Sequence, residues 1–161
     1  MNDPKNLPID GGNGLTKRGR TVALMLLTLA VFCIGTAELL PMGLLLPIAN
    51  EMKVSISSTG MLVTGYALGV VIGGPVLSAL TGRLTRKALL CLFLILFMIG
   101  SIVCTVASSY GILLMGRIIS SLAHGTLFGT IVVTAKDLAQ PGKEGRSIAL
   151  VGSGLTVSVI L

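Results

Sequence analysis

The stretch FCIGTAELLPMG, residues 32–43, places one carboxylate, Glu38, three residues before Pro41 in an otherwise apolar run from Thr21 to Ile48. An ionised carboxylate in hydrocarbon costs several kcal/mol unless it is paired, protonated or facing water. The other charge set well inside an apolar run is Arg117, in LLMGRIISSLAHGTLFG, and His124 follows it by seven residues. Seven residues is close to two helical turns, so His124 shares the face of Arg117, about 10 Å further along. Measured from the near ends of their runs, Glu38 lies ~15 Å deep and Arg117 ~8 Å deep from the same side. A carboxyl group binds a proton when taken out of water and releases it when a cation approaches, and an imidazole titrates near neutrality. Glu38, Arg117 and His124 therefore make a candidate proton-responsive patch with Arg117 as the conditional partner of the carboxylate. The plainer alternatives are an ion pair that only fixes helix register and a histidine that only bonds a neighbouring helix.

Other chemistries lack their residues. His124 is the single histidine, and Cys33, Cys91 and Cys104 all lie in apolar runs without C-x-x-C spacing, so no metal or cofactor is expected. They read as buried thiols acting as small apolar side chains. No paired acids and no Ser/His/Asp set appear, which argues against an enzyme.

These residues must be positioned by membrane helices. The chain of 161 residues is 53% hydrophobic and 11% charged, with mean hydropathy +0.96, whereas soluble domains are about a quarter charged. The net charge of +6 comes with only 4% aromatics, and the basic residues recur between apolar runs. That is a topology signal, and no nucleic-acid partner is expected. Residues 1–20 read as a disordered tail, followed by spans at about 21–48, 59–81, 88–107, 112–135 and 147–161. The first is long enough to require tilt or a break near Pro41. The last is about 22 Å long as a helix, short of the ~30 Å hydrocarbon core, and reads as truncated. A cleaved signal peptide fits poorly, because the sequence stays apolar past Ala37.

Alternate connections carry Lys5, Lys17, Arg18 and Arg20, then Arg83, Arg86 and Lys87, then Lys136, Lys143 and Arg146, while the other set holds only Lys53. Ten against one places the N-terminus and the second and fourth connections on the cytoplasmic side of a cell (inner or plasma) membrane. Small residues recur at four-residue spacing: Gly65, Gly69 and Gly73 in the second span, and Ser121, Gly125 and Gly129 in the fourth. Such stripes let helix backbones approach closely. Pro75 is expected to kink the second span.

Four stretches, in order, resemble the N-terminal part of a major facilitator superfamily transporter. GTAELLPMGLLLPIA follows the pattern G-T-x-E-[FL]-x-P-x-G-L-L-x-x-I-A. STGMLVTGYALGVVIGGPVLSALTGRLTRKALL resembles the second span and its loop, GRIISSLAHGTLFG the fourth span, and PGKEGRSIALVGSGLTVSVIL the start of the fifth. The likeness runs from about residue 21 to 161 and is nearest to the drug:proton antiporter group of arabinose-efflux and chloramphenicol-resistance type permeases. It implies two six-helix halves around a central pathway, and alternating access between them. It further implies proton-coupled efflux of a small molecule (a drug, sugar or metabolite) through Glu38, Arg117 and His124, with the bilayer, protons and a missing C-terminal half as partners. One departure stands out. The superfamily loop reads G-x-x-x-D-R-x-G-R-[RK], and LTGRLTRK keeps Arg83, Arg86 and Lys87 but has Gly82 for the aspartate and Thr85 for the glycine. The alternatives are a complete four-span small multidrug transporter and a tetraspan scaffold without transport. The unfinished fifth run and the strong charge bias weigh against the first.

Overall fold

The computed structural model describes residues 16–160, so the tail expected over residues 1–15, together with Leu161, lies outside the described residues. The described chain is all-α: α1 (Lys17–Gly43), α2 (Leu45–Met52), α3 (Ile56–Thr81), α4 (Arg86–Thr105), α5 (Tyr110–Asp137) and α6 (Glu144–Ile160). Four helices, α1, α3, α4 and α5, are long and apolar enough to cross a membrane. The fifth expected span is α6, about 26 Å long at 1.5 Å per residue.

Each helix begins a few residues before its apolar run. Hydropathy marks where lipid begins, whereas side-chain caps mark where the helix begins. Thr16, Ser55 and Thr85 accept from the backbone N–H of Gly19, Ser58 and Ala88 at 3.2, 3.1 and 3.4 Å. The cap at Thr16 corrects the expected tail: Lys17 to Arg20 belong to α1, and Arg20 is buried. At the start of α6, Gly142 adopts φ 78° and donates to Glu144 Oε1 at 3.1 Å.

The break expected near Pro41 falls at Leu44. Proline cannot donate to the carbonyl four residues earlier, which loosens the turn without ending it. The helix runs on to Gly43, Leu44 bonds back to Pro41 O at 3.3 Å, and α2 follows. The polar connection expected after residue 48 is shorter than it read, because α2 absorbs Ala49–Met52 and ends on Lys53, held left-handed at φ 54°. By contrast α3 passes through Pro75 as one helix.

The centre of the bundle is α5, packed chiefly against α4 and α3, while α1 packs chiefly against α6. Their shared core joins Val31 and Ile34 with Phe93, Phe97, Ala123, Leu127, Ile131 and Val151. Outward faces carry Leu26, Met61, Val71 and Ile95, each more than half exposed, and Cys33 and Cys91, expected to be buried, are exposed as well. Those faces suit hydrocarbon. At ~25 cal/mol per Å² of apolar surface they would be unfavourable in water.

The α3–α5 crossing is close at some stripe positions and open at others. A Cβ at Gly73 would sit 2.7 Å from Leu122 Cα, and one at Gly125 would sit 2.7 Å from Val70 O. Gly69 faces Ser121 just as tightly. Gly65 has only ordinary contact, 3.6 Å to Leu114 Cδ1, and Gly129 has nothing within 4 Å. The stripes therefore overreach at both ends, because two crossing helices stay in contact for only two or three turns. A second close crossing, α4 on α5, uses one glycine from each helix, with a Gly100 Cβ placed 2.6 Å from Ser120 N. A single glycine has no spacing for a sequence pattern to detect.

Candidate functional site

The site forms where α1, α3 and α5 meet. From α5 come Arg117 and His124, both buried at 4% and 8% exposure; α3 contributes Tyr66 at 2%; and α1 contributes Glu38, whose side chain is 39% exposed. The structure brings together the three residues expected from sequence, and adds the tyrosine.

Arg117 explains why a proline follows Glu38. Because Pro41 has no N–H, the carbonyl of Ala37 lacks its helical donor. Arg117 Nη1 donates to that oxygen at 2.7 Å, and Nη2 reaches Glu38 O at 3.4 Å. The guanidinium carbon lies 3.9 Å from the centroid of the Tyr66 ring, a cation–π contact. The Glu38–Arg117 partnership thus takes an unexpected form. Among the described residues no Arg117 nitrogen lies within salt-bridge distance of the Glu38 carboxylate, and the contact runs through the backbone instead.

The carboxylate approaches His124, with Glu38 Oε2 at 4.0 Å from Nδ1. That is an electrostatic contact, too long for a hydrogen bond. Nδ1 instead shares a hydrogen bond with the Tyr66 hydroxyl at 3.0 Å, and either can donate according to the histidine tautomer. Phe128, one turn further on α5, closes the far side of the imidazole edge-on. The result is a chain of three proton-bearing groups, Glu38, His124 and Tyr66. A fixed cation stands over its last member.

Tyr66 is the residue that sequence reasoning missed. Its signal was present: TGYALG holds a polar aromatic inside an apolar span, in a chain with only 2 tyrosines.

The second expected feature is the basic loop at the opposite depth. Arg83 lies in the α3–α4 connection, and Arg86 and Lys87 open α4. Arg86 forms an ion pair with Asp137, the last residue of α5, and both side chains are about half exposed. The loop lacks the family aspartate at Gly82, but α5 brings a carboxylate to Arg86. The signal missed there was the acid closing the fourth span in AKDLAQ.

The family model described as Major Facilitator Superfamily matches residues 27–161. The chain is 37% identical over 138 residues to an uncharacterized MFS-type transporter of Bacillus subtilis (strain 168), YtbD, covering 86% of this chain and 35% of that protein. It is 36% identical over 137 residues to the inner membrane transport protein YdhP of Escherichia coli (strain K12), covering 85% of this chain and 35% of that one. A chloramphenicol resistance protein of Streptomyces lividans is 31% identical over 137 residues, again with 85% and 35% covered. The chain thus spans about a third of the length of these relatives.

Proposed function

The chain belongs to the major facilitator superfamily, a multi-pass membrane transport protein and not an enzyme, and from that premise we propose that it forms the first part of a proton-coupled exporter of a small molecule. Glu38 is the carboxyl that carries the proton in this reading, and Arg117, His124 and Tyr66 govern it. One observation carries the proposal: a half-exposed carboxylate in an apolar span, 4.0 Å from a buried imidazole and one peptide unit from a buried guanidinium.

The geometry supports a specific sequence of events. Arg117 is tied to the backbone of residues 37 and 38 and leaves the carboxylate free to take a proton from the open face. A small slide or rotation of α1 against α5 would draw Ala37 O away from the guanidinium. The Glu38 carboxylate, on the adjacent residue, would then be its next acceptor, and that pairing favours the anion. Proton uptake and release are thereby linked to which partner Arg117 holds. The missing wall of the pathway is a second half, as the length of the relatives supports. The basic bias supports an N-terminus and α3–α4 loop on the cytoplasmic side. The name of the Streptomyces relative supports a drug-like substrate. The family match sets aside the four-span small multidrug alternative and leaves nothing in favour of a scaffold.

The test is substrate uptake into inside-out vesicles by the full-length transporter, with and without an imposed pH gradient, comparing Glu38→Gln with wild type. The variant keeps shape and loses the anion, so gradient-driven uptake should vanish while substrate binding persists. A Gln variant that still responds to the gradient as wild type does would make Glu38 a register pin.

A further inference from the structure

Tyr66 meets His124 through one atom. Its hydroxyl lies 3.0 Å from His124 Nδ1, and the same nitrogen lies 4.0 Å from Glu38 Oε2. Tyr66 and Glu38 thus face one ring position from two helices, α3 and α1, and only the tyrosine is within hydrogen-bond distance. Which atom of the Tyr66–His124 pair supplies the hydrogen decides whether His124 can exchange a proton with Glu38.

A neutral imidazole has one hydrogen, on Nδ1 or on Nε2. With it on Nδ1, the ring donates to the Tyr66 oxygen and the phenolic hydrogen needs another acceptor. Tyr66 is 2% exposed, and among the described residues its hydroxyl has no other partner. With the hydrogen on Nε2, the phenol donates to Nδ1 and both of these atoms are satisfied. Nε2 bonds to no atom of the described residues, but it is not enclosed, and its hydrogen can meet water. Electrostatics favours the same tautomer. The Arg117 guanidinium carbon stands 3.9 Å from the centre of the Tyr66 ring, while its nitrogens bond to Ala37 O and Glu38 O. A phenol that donates gains negative charge on its oxygen, and a nearby cation stabilises that charge. An ionised Glu38 pulls the other way, toward a hydrogen on Nδ1, but at 4.0 Å it makes no bond, and the protonated acid exerts no such pull.

Resting on Glu38 as the proton carrier, we infer that Tyr66 is a positioning residue: its hydroxyl donates to His124 Nδ1, fixes the imidazole as the Nε2–H tautomer, and so keeps the proton of Glu38 from passing to the histidine. Nδ1 then presents no hydrogen to the carboxylate and has no lone pair free to accept one. The proton that Glu38 takes up stays on Glu38, where a change in the partner of Arg117 can release it.

The experiment is nuclear magnetic resonance on the full-length transporter with ¹⁵N-labelled histidine in lipid nanodiscs near neutral pH, the His124 signals being those absent from His124→Gln. Wild type should show Nδ1 as a bare acceptor and Nε2 bonded to hydrogen. In Tyr66→Phe the hydroxyl no longer competes with Glu38, and the Nδ1 signal should shift to the hydrogen-bearing range. Glu38→Gln with Tyr66 in place should keep the wild-type pattern. A hydrogen on Nδ1 in wild type overturns the inference, as does a wild-type pattern in Tyr66→Phe or a shifted one in Glu38→Gln. Should Tyr66→Phe fail to fold, wild type and Glu38→Gln still decide. The spectra report the tautomer whether or not transport occurs, so they separate this failure from that of the carrier reading, which falls if gradient-driven uptake survives Glu38→Gln.

Discussion

Replacing Pro41 with alanine restores the N–H that Ala37 O lacks, and the effect of that single hydrogen on Arg117 can be worked out from the structure. In the native chain Arg117 Nη1 is the donor to Ala37 O, at 2.7 Å. A hydrogen bond to a charged group contributes ~1.5–3 kcal/mol, and removing the donor leaves a buried carbonyl unsatisfied. Arg117→Met in the native background should therefore lose at least that amount. In Pro41→Ala the helix itself satisfies Ala37, so the same Arg117→Met change should cost ~1.5–3 kcal/mol less. Pro41→Ala alone should be close to neutral, since a proline in a helix interior is about 3 kcal/mol less favourable than alanine, and regaining that offsets the lost arginine bond. The assay is a double-mutant cycle by reversible unfolding in mixed micelles, read as fraction folded against denaturing detergent. Coupling of the stated sign and size supports the carbonyl account. Additivity within ~0.5 kcal/mol would refute it, since residues in contact should couple more strongly than that.

Tyr66→Phe keeps the ring beneath Arg117 and removes the hydroxyl bonded to His124, so it should lose ~1–3 kcal/mol, and Tyr66→Leu should lose more because the cation–π contact goes too; equal losses in unfolding measurements would contradict that division. Gly125→Ala should destabilise the α3–α5 crossing by about 1–3 kcal/mol through overpacking, whereas Gly129→Ala, which meets nothing within 4 Å, should not; the same unfolding assay would show both variants alike if the crossing lies elsewhere. Single cysteines at Ser55 and Thr85 should differ in intact cells, Ser55 reacting with an impermeant thiol reagent and Thr85 resisting it; the reverse pattern would invert the orientation drawn from the basic residues.

How much could be read in advance follows the physics of each feature. The four long helices announce themselves because lipid imposes a long apolar run on any helix it surrounds. Glu38, Arg117 and His124 could be placed together because a charge in such a run is costly and depth along a helix can be counted. The partner that Arg117 chooses could not be read, since it depends on a carbonyl freed by Pro41, and sequence patterns score side chains. Tyr66 was hidden for a related reason: its ring is apolar enough to pass as core, and only its tip meets His124. The pair of Arg86 with Asp137 joins residues far apart in sequence, through a helix end whose position hydropathy does not report. Stripe residues Gly65 and Gly129 read like Gly69 and Gly125, and only the crossing point separates them.

The caps that start α1 and α4 early have an electrostatic consequence. They draw Lys17, Arg18 and Arg20 into the first turn of α1, and Arg86 and Lys87 into the first turn of α4, with no acidic residue in either turn. A helix N-terminus carries about half a positive charge, so cations there oppose the macrodipole by ~0.3–1 kcal/mol each. Water alone would favour fraying. Phosphates of anionic lipids reverse the sign, since each basic residue near such a surface gains about 1 kcal/mol. Asp137 performs part of that task for α4 from within the protein. Anionic headgroups beside these capped opening turns would therefore oppose fraying, and the composition of the leaflet would bear on how firmly the first turns of α1 and α4 hold.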